Sequence, residues 1–507
     1  MEERAEWELV VIGGGSAGLV ASRTAASFGA DTLLIEGDRL GGDCLWTGCV
    51  PSKSLIAAAS ALTIARNSPH FGVEADAVEL DFAAAMRHVH SAMHTIAPVD
   101  SPEVLALAGV EVLRGHARFT GPRSLNVEGR EIGFGQVIIA TGGSPAVPKI
   151  DGIGSVEVLT SATVWDLTAL PERLVVLGGG AVGCEIAQAM ARFGSVVTIV
   201  HRGDRLLVKE APRASAIVQA ALEADGVTVL TGRQAASISG DGDGDGDRDR
   251  RGLGGGDGDR DRRGPGGGRS GAVTLDDGTV VPFDAILAAI GRAPNTGSLD
   301  ADRAGVELDE AGNVVVNARL RTANPRIWAA GDVTPLPKFT HTAGMNGSIA
   351  ASNAVLGLFR TIDSTAVPRV TFTHPEVGSV GIVQADAAAQ GLIARTIEHE
   401  HVDRAIAEGA IGGYTQLLVD KRGKIRGATI VGPRAGESLG EVSLAISRGL
   451  TTSDIAGTTH AYPTFSDAVW NAAVADVRAR LNQGATKVAT TALRRLRRWR
   501  LRRWRLR

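Results

Sequence analysis

Two stretches of the chain share one order of apolar and glycine-rich positions. Near the start, an apolar run at residues 9–12 precedes several glycines, an alanine-rich stretch and a second apolar run that ends at Glu36. Farther along, the segment RLVVLGGGAVGCEIAQAMARFGSVVTIVHR repeats that order. Short apolar runs separated by helical segments are typical of strand–helix–strand units with buried parallel strands. The pattern therefore predicts an α/β protein that contains two such units.

Each unit carries a GxGxxG motif between its first strand and its helix. The motif glycines are Gly13, Gly15 and Gly18 in the first unit and Gly178, Gly180 and Gly183 in the second. Glycine allows a tight turn and a close approach to a pyrophosphate, which is attracted to the helix N-terminus. The surrounding order of elements makes the motif specific. We therefore expect two Rossmann-like dinucleotide-binding domains, with Glu36 accepting hydrogen bonds from ribose hydroxyls.

The second unit differs from the first where its second strand ends. His201 replaces the acid, Arg202 follows it, and Arg205 is close by in the sequence. An acid at this place favours a free ribose 2′-hydroxyl, whereas cations favour a 2′-phosphate. The sequence therefore predicts NADPH over NADH, and the alternative is that both arginines face solvent.

A low-complexity insert and a strand-rich end complete the pattern. Residues 240–271 contain a twelve-residue repeat rich in Gly, Asp and Arg, which predicts a disordered loop between the strands of one hairpin. The insert imitates the start of a calcium loop but has Gly252 where a bidentate Glu is needed. The segment AILAAIGR is predicted to be a strand ending at Gly291-Arg292. From about Arg369 to Leu481 we expect a strand-rich domain closed by helices.

The charge is distributed unevenly along the chain. The 53 basic and 56 acidic residues give a net charge of −3, but nine arginines and no acid lie within residues 492–507. Without those arginines, 44 basic residues stand against 56 acids, a net charge of −12. The basic tail suits an anionic membrane surface or a nucleic-acid backbone, although its apolar residues spread over about 220° of a helix, so its amphipathicity is poor. The alternative is a disordered, solvated tail.

Cysteine content and hydropathy bear on location. Three cysteines in 507 residues exclude a disulfide-stapled secreted fold. The N-terminus is acidic where a signal peptide would be basic, and no stretch approaches 18 consecutive apolar residues. We therefore expect a cytoplasmic protein without a membrane span.

Two of the cysteines form a candidate redox pair. Cys44 and Cys49 are five residues apart, a rise of about 7.5 Å in an ideal helix and too long for a disulfide. Gly48 and Pro51 permit the distortion that would bring them together. A helix N-terminus and Lys53 would lower a thiol pKa there. Zinc would require four ligands, and two buried structural thiols are the remaining alternative.

Several further motifs stand in order along the chain: ATGGSP at 140–145, AIGRAPNT at 289–296, AAGDV at 329–333, FTHPEVGSVG at 372–381 and HAYPTFSD at 460–467. Together with GGGSAG, GGDCLWTGCVPSK and GGGAVGCE, they make the chain resemble the pyridine nucleotide-disulfide oxidoreductases, such as dihydrolipoamide dehydrogenase, glutathione reductase and mercuric reductase. The resemblance covers residues 7 to about 480.

The resemblance implies a homodimer with a composite active site, FAD on the first dinucleotide fold and NAD(P)H on the second. Hydride would pass from the nicotinamide to FAD, and electrons would pass on to a Cys44–Cys49 disulfide. It implies a division into an FAD domain (1–150), an NAD(P) domain (151–290), an FAD-domain return segment (291–360) and a dimerisation domain (361–481). The C-terminal segment with the basic tail (482–507) lies outside the resemblance.

The resemblance also implies roles for single residues. Cys49 would be the flavin-facing charge-transfer thiol, and Cys44 the interchange thiol that meets substrate. Lys53 would lie near the flavin and pair with Glu185 beside the nicotinamide. Further FAD contacts would come from Gly42, Thr141, Gly142 and Asp332, and a further NAD(P) contact from Gly291.

The chain departs from the family at the C-terminal motif, where disulfide-reducing members have a catalytic His oriented by a Glu. Here Tyr462 takes the place of that His and Asp467 the place of the Glu. Tyrosine is a poor base at neutral pH, so rapid disulfide reduction is in doubt. His460 would make a structural hydrogen bond. Of the mercury-specific features, the sequence has no vicinal C-terminal cysteine pair, and we expect no N-terminal metal-binding domain before Trp7.

Three functions remain open at this point. The first is an FAD-dependent NAD(P)H oxidoreductase that reduces a metal ion, quinone or small disulfide, in the manner of mercuric reductase. The second is a dihydrolipoamide dehydrogenase-like disulfide reductase. The third is a flavin-bearing binding or sensor protein that its basic tail recruits to a polyanion or membrane.

Overall fold

This computed structural model describes residues 6–73, 78–240 and 270–504. The strands within those residues are β1 (Glu6–Ile12), β2 (Thr32–Glu36), β3 (Val110–Arg114), β4 (Ala117–Gly121), β5 (Ser124–Val127), β6 (Arg130–Ile139), β7 (Gly143–Pro145), β8 (Val158–Thr160), β9 (Arg173–Leu177), β10 (Val196–His201), β11 (Thr228–Thr231), β12 (Ala235–Gly240), β13 (Gly271–Leu275), β14 (Val280–Phe283), β15 (Ala285–Ala288), β16 (Arg292–Pro294), β17 (Ile327–Ala329), β18 (Arg369–Thr371), β19 (Glu376–Gly381), β20 (Ile393–Glu398), β21 (Tyr414–Val419) and β22 (Ile425–Gly432).

The α-helices within the same residues are α1 (Ser16–Ser27), α2 (Gly42–Trp46), α3 (Cys49–Asn67), α4 (Phe82–Ile96), α5 (Pro102–Leu107), α6 (Ala181–Phe193), α7 (Pro212–Ala224), α8 (Thr340–Leu356), α9 (Gln384–Ala387), α10 (Asp403–Ala407), α11 (Ala435–Arg448), α12 (Thr452–Ala456), α13 (Asp467–Leu481) and α14 (Gly484–Trp504).

The first predicted unit forms a seven-stranded sheet in the order β3-β2-β1-β6-β5-β4, with β17 paired to β6. Strand β1 lies between β2 and β6 and is parallel to both. Because successive side chains of a strand point to opposite faces, Leu9 and Val11 join one buried cluster while Val10 and Ile12 join another. Helices α1 and α8 cover the first of these faces. Burial on both faces explains why the run is continuously apolar.

The second predicted unit forms a five-stranded parallel sheet in the order β11-β10-β9-β15-β8. Strands β12 and β13 pair antiparallel, which confirms the predicted pairing of the segments that flank the insert. Residues 241–269 of the insert lie outside the described residues. The predicted strand end at Gly291-Arg292 is wrong. Strand β15 ends at Ala288, and Arg292 instead begins β16, which pairs antiparallel with β7.

Residue contacts divide the chain into two compact units. The first combines residues up to Asp204 with Leu222–Asp363, and the second combines Arg205–Ala221 with residues from Ser364 onward. In the second unit, the antiparallel sheet β18-β19-β22-β21-β20 is covered by α11 and α13. The predicted strand-rich terminal domain is therefore present, and α13 ends at Leu481. The finer five-part division remains a prediction.

The basic C-terminal segment is helical. Helix α14 runs from Gly484 to Trp504, so a disordered tail is the wrong prediction for those residues. The sequence did not signal where this helix begins, because its first two turns are rich in Ala and Thr rather than Arg.

One helical stretch, Gly42–Phe71, is long and apolar enough to cross a membrane by length and composition. It includes both redox-candidate cysteines and Lys53, and its main helix α3 packs against α4 and α6. A helix of a soluble protein can have the same length and composition, and here one face of α3, with Pro51, Leu55, Ala59 and Leu62, is buried against other helices of the first unit.

Candidate active site

The first glycine loop leaves no room for side chains. Gly13 has a φ of 104°, and a Cβ there would clash with the carbonyl oxygen of Ala140. A Cβ on Gly18 would clash with the carbonyl oxygen of Gly13. The loop therefore packs tightly between β1 and the N-terminus of α1, where backbone N–H groups face outward. These features fit a bound dinucleotide pyrophosphate.

Glu36 supports the same loop from the end of β2. Its Oε2 atom accepts the Gly14 N–H at 2.6 Å, and its Oε1 atom accepts the Asp38 N–H at 2.7 Å. Each carboxylate oxygen has further lone pairs, so the side chain could still accept a ribose hydroxyl. Nearby, Gly42 has a φ of 56° and lies against Gly15, which brings the start of α2 close to the loop.

The second glycine loop has the same construction. Gly178 has a φ of 117°, and a Cβ on Gly183 would clash with the Gly178 carbonyl oxygen. Gly180 caps the N-terminus of α6. His201 Nδ1 accepts the Gly179 N–H at 3.1 Å. The loop therefore also fits a dinucleotide.

The two arginines after His201 differ in their surroundings. Arg202 is exposed in the first unit. Arg205 belongs to the second unit, and its guanidinium donates hydrogen bonds to the carbonyl oxygens of Leu207 and Val208, at 3.1 and 2.7 Å. Arg202 is thus the arginine whose guanidinium faces solvent, whereas Arg205 is engaged within its own turn.

Thr141 and Gly142 follow β6, where the first sheet ends, and both contact Asn295. The Thr141 hydroxyl donates to the Asn295 carbonyl oxygen at 2.7 Å, and the Asn295 N–H donates to the Gly142 carbonyl oxygen at 3.0 Å. Asn295 was not among the residues predicted from the sequence, although it lies within the AIGRAPNT motif.

Arg292 was also missed, and it connects two parts of the candidate flavin site. Its guanidinium lies 3.1 Å from Asp43 in α2 and 3.0 Å from Asp332 after β17, and it donates to the Gly143 carbonyl oxygen. Burial raises the pKa of Asp332, and the arginine only partly offsets this. Gly291, with a φ of 138°, supplies the turn before Arg292.

The two candidate redox cysteines lie on different helices. Cys44 is in α2, Cys49 begins α3, and Gly48 interrupts the helical path with a ψ of −107°. Both side chains are free thiols, with Cys44 half-buried and Cys49 exposed. The helix break is the distortion that the sequence predicted. The exposure of Cys49 disfavours the alternative of two buried structural thiols.

The pKa values of the two thiols are shifted in opposite directions. A hydrogen bond from Cys44, the Thr340 hydroxyl at 3.2 Å and the positive charge of Lys53 lower the pKa of Cys49 to about 6, against the opposing effect of burial. The shared hydrogen bond and burial raise the pKa of Cys44. Cys49 is therefore a thiolate at neutral pH while Cys44 keeps its proton. Thr340, at the N-terminus of α8, gave no signal in the sequence.

Lys53 connects the cysteine helix to the second nucleotide unit. Its Nζ atom donates to Glu185 Oε2 at 2.8 Å, the pairing expected from the sequence. Glu185 is buried in α6, and α3 packs against that helix. The ion pair therefore fixes the lysine beside the second glycine loop.

In the C-terminal motif, Asp467 takes the place of the family's orienting Glu but is not the hydrogen-bond partner of Tyr462. The exposed Tyr462 hydroxyl donates to the Asp403 carboxylate, and this hydrogen bond raises the tyrosine pKa. Asp467 accepts instead from Asn471 at 3.1 Å and acts on Tyr462 only as a more distant charge. The sequence missed Asp403. His460 is held by Glu441 at 2.7 Å, as expected for a structural hydrogen bond.

Comparisons with known proteins identify the family. The pyridine nucleotide-disulphide oxidoreductase model matches residues 7–347, and the dimerisation-domain model of the same family matches residues 367–473. A mercuric reductase of Streptomyces lividans is 36% identical over 91% of this chain and 94% of its own length. The chain belongs to the pyridine nucleotide-disulphide oxidoreductases.

Other relatives of this oxidoreductase have different names. A dihydrolipoyl dehydrogenase of Chlamydia pneumoniae is 32% identical over 92% of this chain and 95% of its own length. LpdA of Mycobacterium tuberculosis has a TM-score of 0.80 at 28% identity, and it covers 92% of this chain and 99% of its own. The HOCl-induced flavoprotein disulfide reductase RclA of Escherichia coli, solved as a Cu(II) complex, has a TM-score of 0.80 at 26% identity, covering 93% and 99%.

The family assignment confirms several predictions. This protein is an oxidoreductase of mixed α/β fold, and its family uses FAD and NAD(P)H, which the two glycine loops fit. Its dimerisation domain indicates a homodimer. The relatives include both mercuric reductases and dihydrolipoyl dehydrogenases, so the family does not define the electron acceptor.

Proposed function

We propose that this flavoenzyme uses NADPH to reduce a thiophilic metal ion, such as Hg(II), bound by the Cys44–Cys49 pair. The observation that supports it most is the exposed Cys49 thiolate, whose pKa is lowered to about 6, next to a protonated Cys44. A thiolate paired with a thiol is a strong ligand set for a soft cation. The reaction consumes NADPH and Hg²⁺ and yields NADP⁺, H⁺ and Hg⁰.

The chain's own residues would hold the metal and the protons. Cys49 offers a preformed thiolate, and Cys44 loses its proton when the metal binds, because metal binding displaces thiol protons. Lys53 supplies positive charge beside the thiolate, and Glu185 holds Lys53 in position. Bound FAD would accept a hydride from the nicotinamide and deliver the electron pair. The glycine loops, Glu36, Thr141, Gly142 and Asp332 would hold it and the nucleotide.

Tyr462 argues against efficient disulfide reduction. Reduction of a disulfide needs an acid–base group for the leaving thiol, and the family's histidine is replaced by a tyrosine whose pKa is raised by Asp403. A metal ion that leaves as a neutral atom needs no such proton transfer. In the homodimer this position would face the partner's cysteine pair as part of a composite site.

A disulfide reductase similar to dihydrolipoamide dehydrogenase is the second candidate, favoured by the dihydrolipoyl dehydrogenase relatives at 32% identity. Quinone reduction and a flavin-bearing sensor are outcomes that the same experiment distinguishes. We also propose that the enzyme acts in the cytoplasm and prefers NADPH, with Arg202 facing the 2′-phosphate beside His201.

The test is NADPH oxidation by the FAD-loaded enzyme with Hg(II) in excess thiol, a quinone, lipoamide or glutathione disulfide. The expected result is rapid turnover with Hg(II), lost at least about 100-fold in Cys44→Ser and Cys49→Ser. Cys184→Ser is the matched control, because this third thiol is buried in helix α6, which follows the second glycine loop, and the variant should retain activity.

A second arm separates the two reductase candidates. Tyr462→His should raise lipoamide turnover about tenfold or more and leave Hg(II) turnover unchanged. Faster wild-type turnover with lipoamide than with Hg(II) would establish the second candidate. Turnover with quinone that survives both cysteine substitutions would indicate flavin-only chemistry, and no turnover with any acceptor would favour the sensor.

A further inference from the structure

Helix α14 places most of its apolar residues and most of its cations on different sides. Its first turns add residues that the basic tail at 492–507 does not contain. At about 100° per residue, six apolar residues fall within an arc of about 140°. They are Val488, Ala489, Ala492, Leu493, Leu496 and Trp499. We call this set the apolar face of α14.

The cations occupy most of the remaining circumference. Six of them fall within an arc of about 160° on the other side of the helix. They are Lys487, Arg494, Arg495, Arg497, Arg498 and Arg502, and we call this set the cationic face. Two cations of the helix, Arg500 and Arg503, are at positions within the apolar arc, and Leu501 is the one leucine among the cations. No acidic residue occurs from Gly484 to the end of the sequence.

The apolar face is exposed to solvent. Val488 is 70% exposed, Leu493 65%, and Leu496 43%, and Trp499 is 52% exposed. Within the described residues, the main packing of α14 is against the preceding helix α13. A surface that combines exposed leucines and tryptophan with a row of arginines is a feature of interfacial helices.

We propose that α14 binds the surface of an anionic lipid bilayer, lying in the interface plane. The apolar face would enter the boundary of the acyl chains, and the cationic face would contact the anionic headgroups. Arginine stems can extend along the interface, which also accommodates the two arginines within the apolar arc. The helix would thereby bring the reductase to a membrane surface without spanning it.

The arrangement of the two faces favours a bilayer over a nucleic acid. Binding to a phosphate backbone is governed by the number of cations and would use the cationic face alone. The apolar face would then stay in water, which leaves its exposed Val, Leu and Trp side chains without a role. A bilayer satisfies both faces at once.

The test measures the partition of the FAD-loaded full-length enzyme onto vesicles by co-sedimentation. Vesicles of phosphatidylcholine with 30% phosphatidylglycerol are compared with pure phosphatidylcholine and with a 20-base-pair DNA duplex. All samples contain 0.1 M NaCl, at which the Debye length is roughly 10 Å. The expected result is preferential binding to the anionic vesicles. A truncation after Gln483 should lower that binding at least about tenfold and leave NADPH oxidation unchanged.

A matched pair of leucine substitutions tests the faces. Leu496→Ser removes a leucine from the apolar face, and Leu501→Ser removes one from the cationic face at the same cost to helix propensity. We expect about fivefold weaker binding for Leu496→Ser and less than about twofold for Leu501→Ser. Equal losses in the two variants, tighter binding to DNA than to anionic vesicles, or unchanged vesicle binding after truncation would each overturn the proposal.

Discussion

The two glycine loops have the same backbone and differ in the side chain that supports them. In both, the first glycine has a positive φ, 104° at Gly13 and 117° at Gly178, and the third glycine lies against the carbonyl oxygen of the first. The middle of each loop is held from the end of the neighbouring strand. Glu36 accepts one loop N–H at 2.6 Å, and His201 accepts the corresponding one at 3.1 Å.

This comparison separates two roles that one position can have. A carboxylate and an imidazole nitrogen both accept the loop N–H, so the structural role is satisfied by either. They differ in charge toward a ribose 2′-substituent, because a carboxylate repels a phosphate whereas a neutral imidazole followed by an exposed arginine does not. Support of the loop and the charge offered to the ribose are thus separate properties of this position.

We expect the largest difference between the regions around the first and the second glycine loop in the reactivity of their cysteine thiols. Cys49 follows the first loop region and has a pKa of about 6, whereas burial raises the pKa of Cys184, next to Gly183, to about 12. Because the thiolate is the nucleophile, iodoacetamide at pH 7.5 should label Cys49 at least about 1,000-fold faster than Cys184 in the reduced enzyme. Peptide mass spectrometry over time measures both rates.

The pH dependence of the labelling rate tests the direction of the Cys49 pKa shift. The Cys49 labelling rate should be near its plateau at pH 7.5, reach half at about pH 6, and fall about tenfold per unit below that. Cys44, whose pKa is raised, should label more slowly throughout. Lys53→Met should move the Cys49 midpoint upward, since it removes a charge that favours the thiolate. An unchanged midpoint would contradict the assigned cause.

The glycines should give the next largest effect. Gly18→Ala and Gly183→Ala introduce the same methyl group against the same carbonyl position in the two loops. We expect Gly18→Ala to lose FAD, with activity falling roughly 100-fold, and Gly183→Ala to keep FAD while its KM for NADPH rises roughly 100-fold, an energy of about 2.7 kcal/mol. The ratio of flavin to protein absorbance and the KM distinguish the two.

Thermal unfolding of both variants provides the control for this pair. A similar Tm in the two would assign the difference to nucleotide binding rather than to folding. Loss of FAD from Gly183→Ala would show that the loops do not serve one nucleotide each.

The repeated pattern made the fold predictable, whereas the site was predictable only in part. The runs at residues 9–12 of β1 and 174–177 of β9 are continuously apolar because both faces of these sheets are buried there, and the glycines are needed by the backbone itself, so both features can be recognised in the sequence. Lys53 and Glu185 lie 132 residues apart, and they were paired only through the family resemblance.

The missed residues have no local pattern. Thr340, Arg292 and Asp403 act through contacts between distant segments: Thr340 with Cys49, Arg292 with Asp43 and Asp332, and Asp403 with Tyr462. Thr340 and Asp403 are common polar residues in an ordinary context, and the AIGRAPNT motif that contains Arg292 does not indicate its partners. Only the folded chain brings each residue to its partner. Helix α14 was missed for a different reason, because the arginine-rich half alone shows poor amphipathicity and the apolar face depends on where the helix starts.

The smallest expected effect concerns the preference for NADPH over NADH. It directly tests the difference between Glu36 and His201 as supports of the two glycine loops. Arg202→Ala should lower kcat/KM for NADPH about tenfold relative to NADH, equivalent to about 1.4 kcal/mol, because one exposed cation near the 2′-phosphate is removed. Arg205→Ala is the matched control, since its guanidinium already donates to the carbonyl oxygens of Leu207 and Val208, and the ratio should stay unchanged. His201→Glu recreates the first loop's support, so the fold should persist while the preference moves further toward NADH. An NADH preference in the wild type, or a larger change in Arg205→Ala than in Arg202→Ala, would refute this account of the second loop.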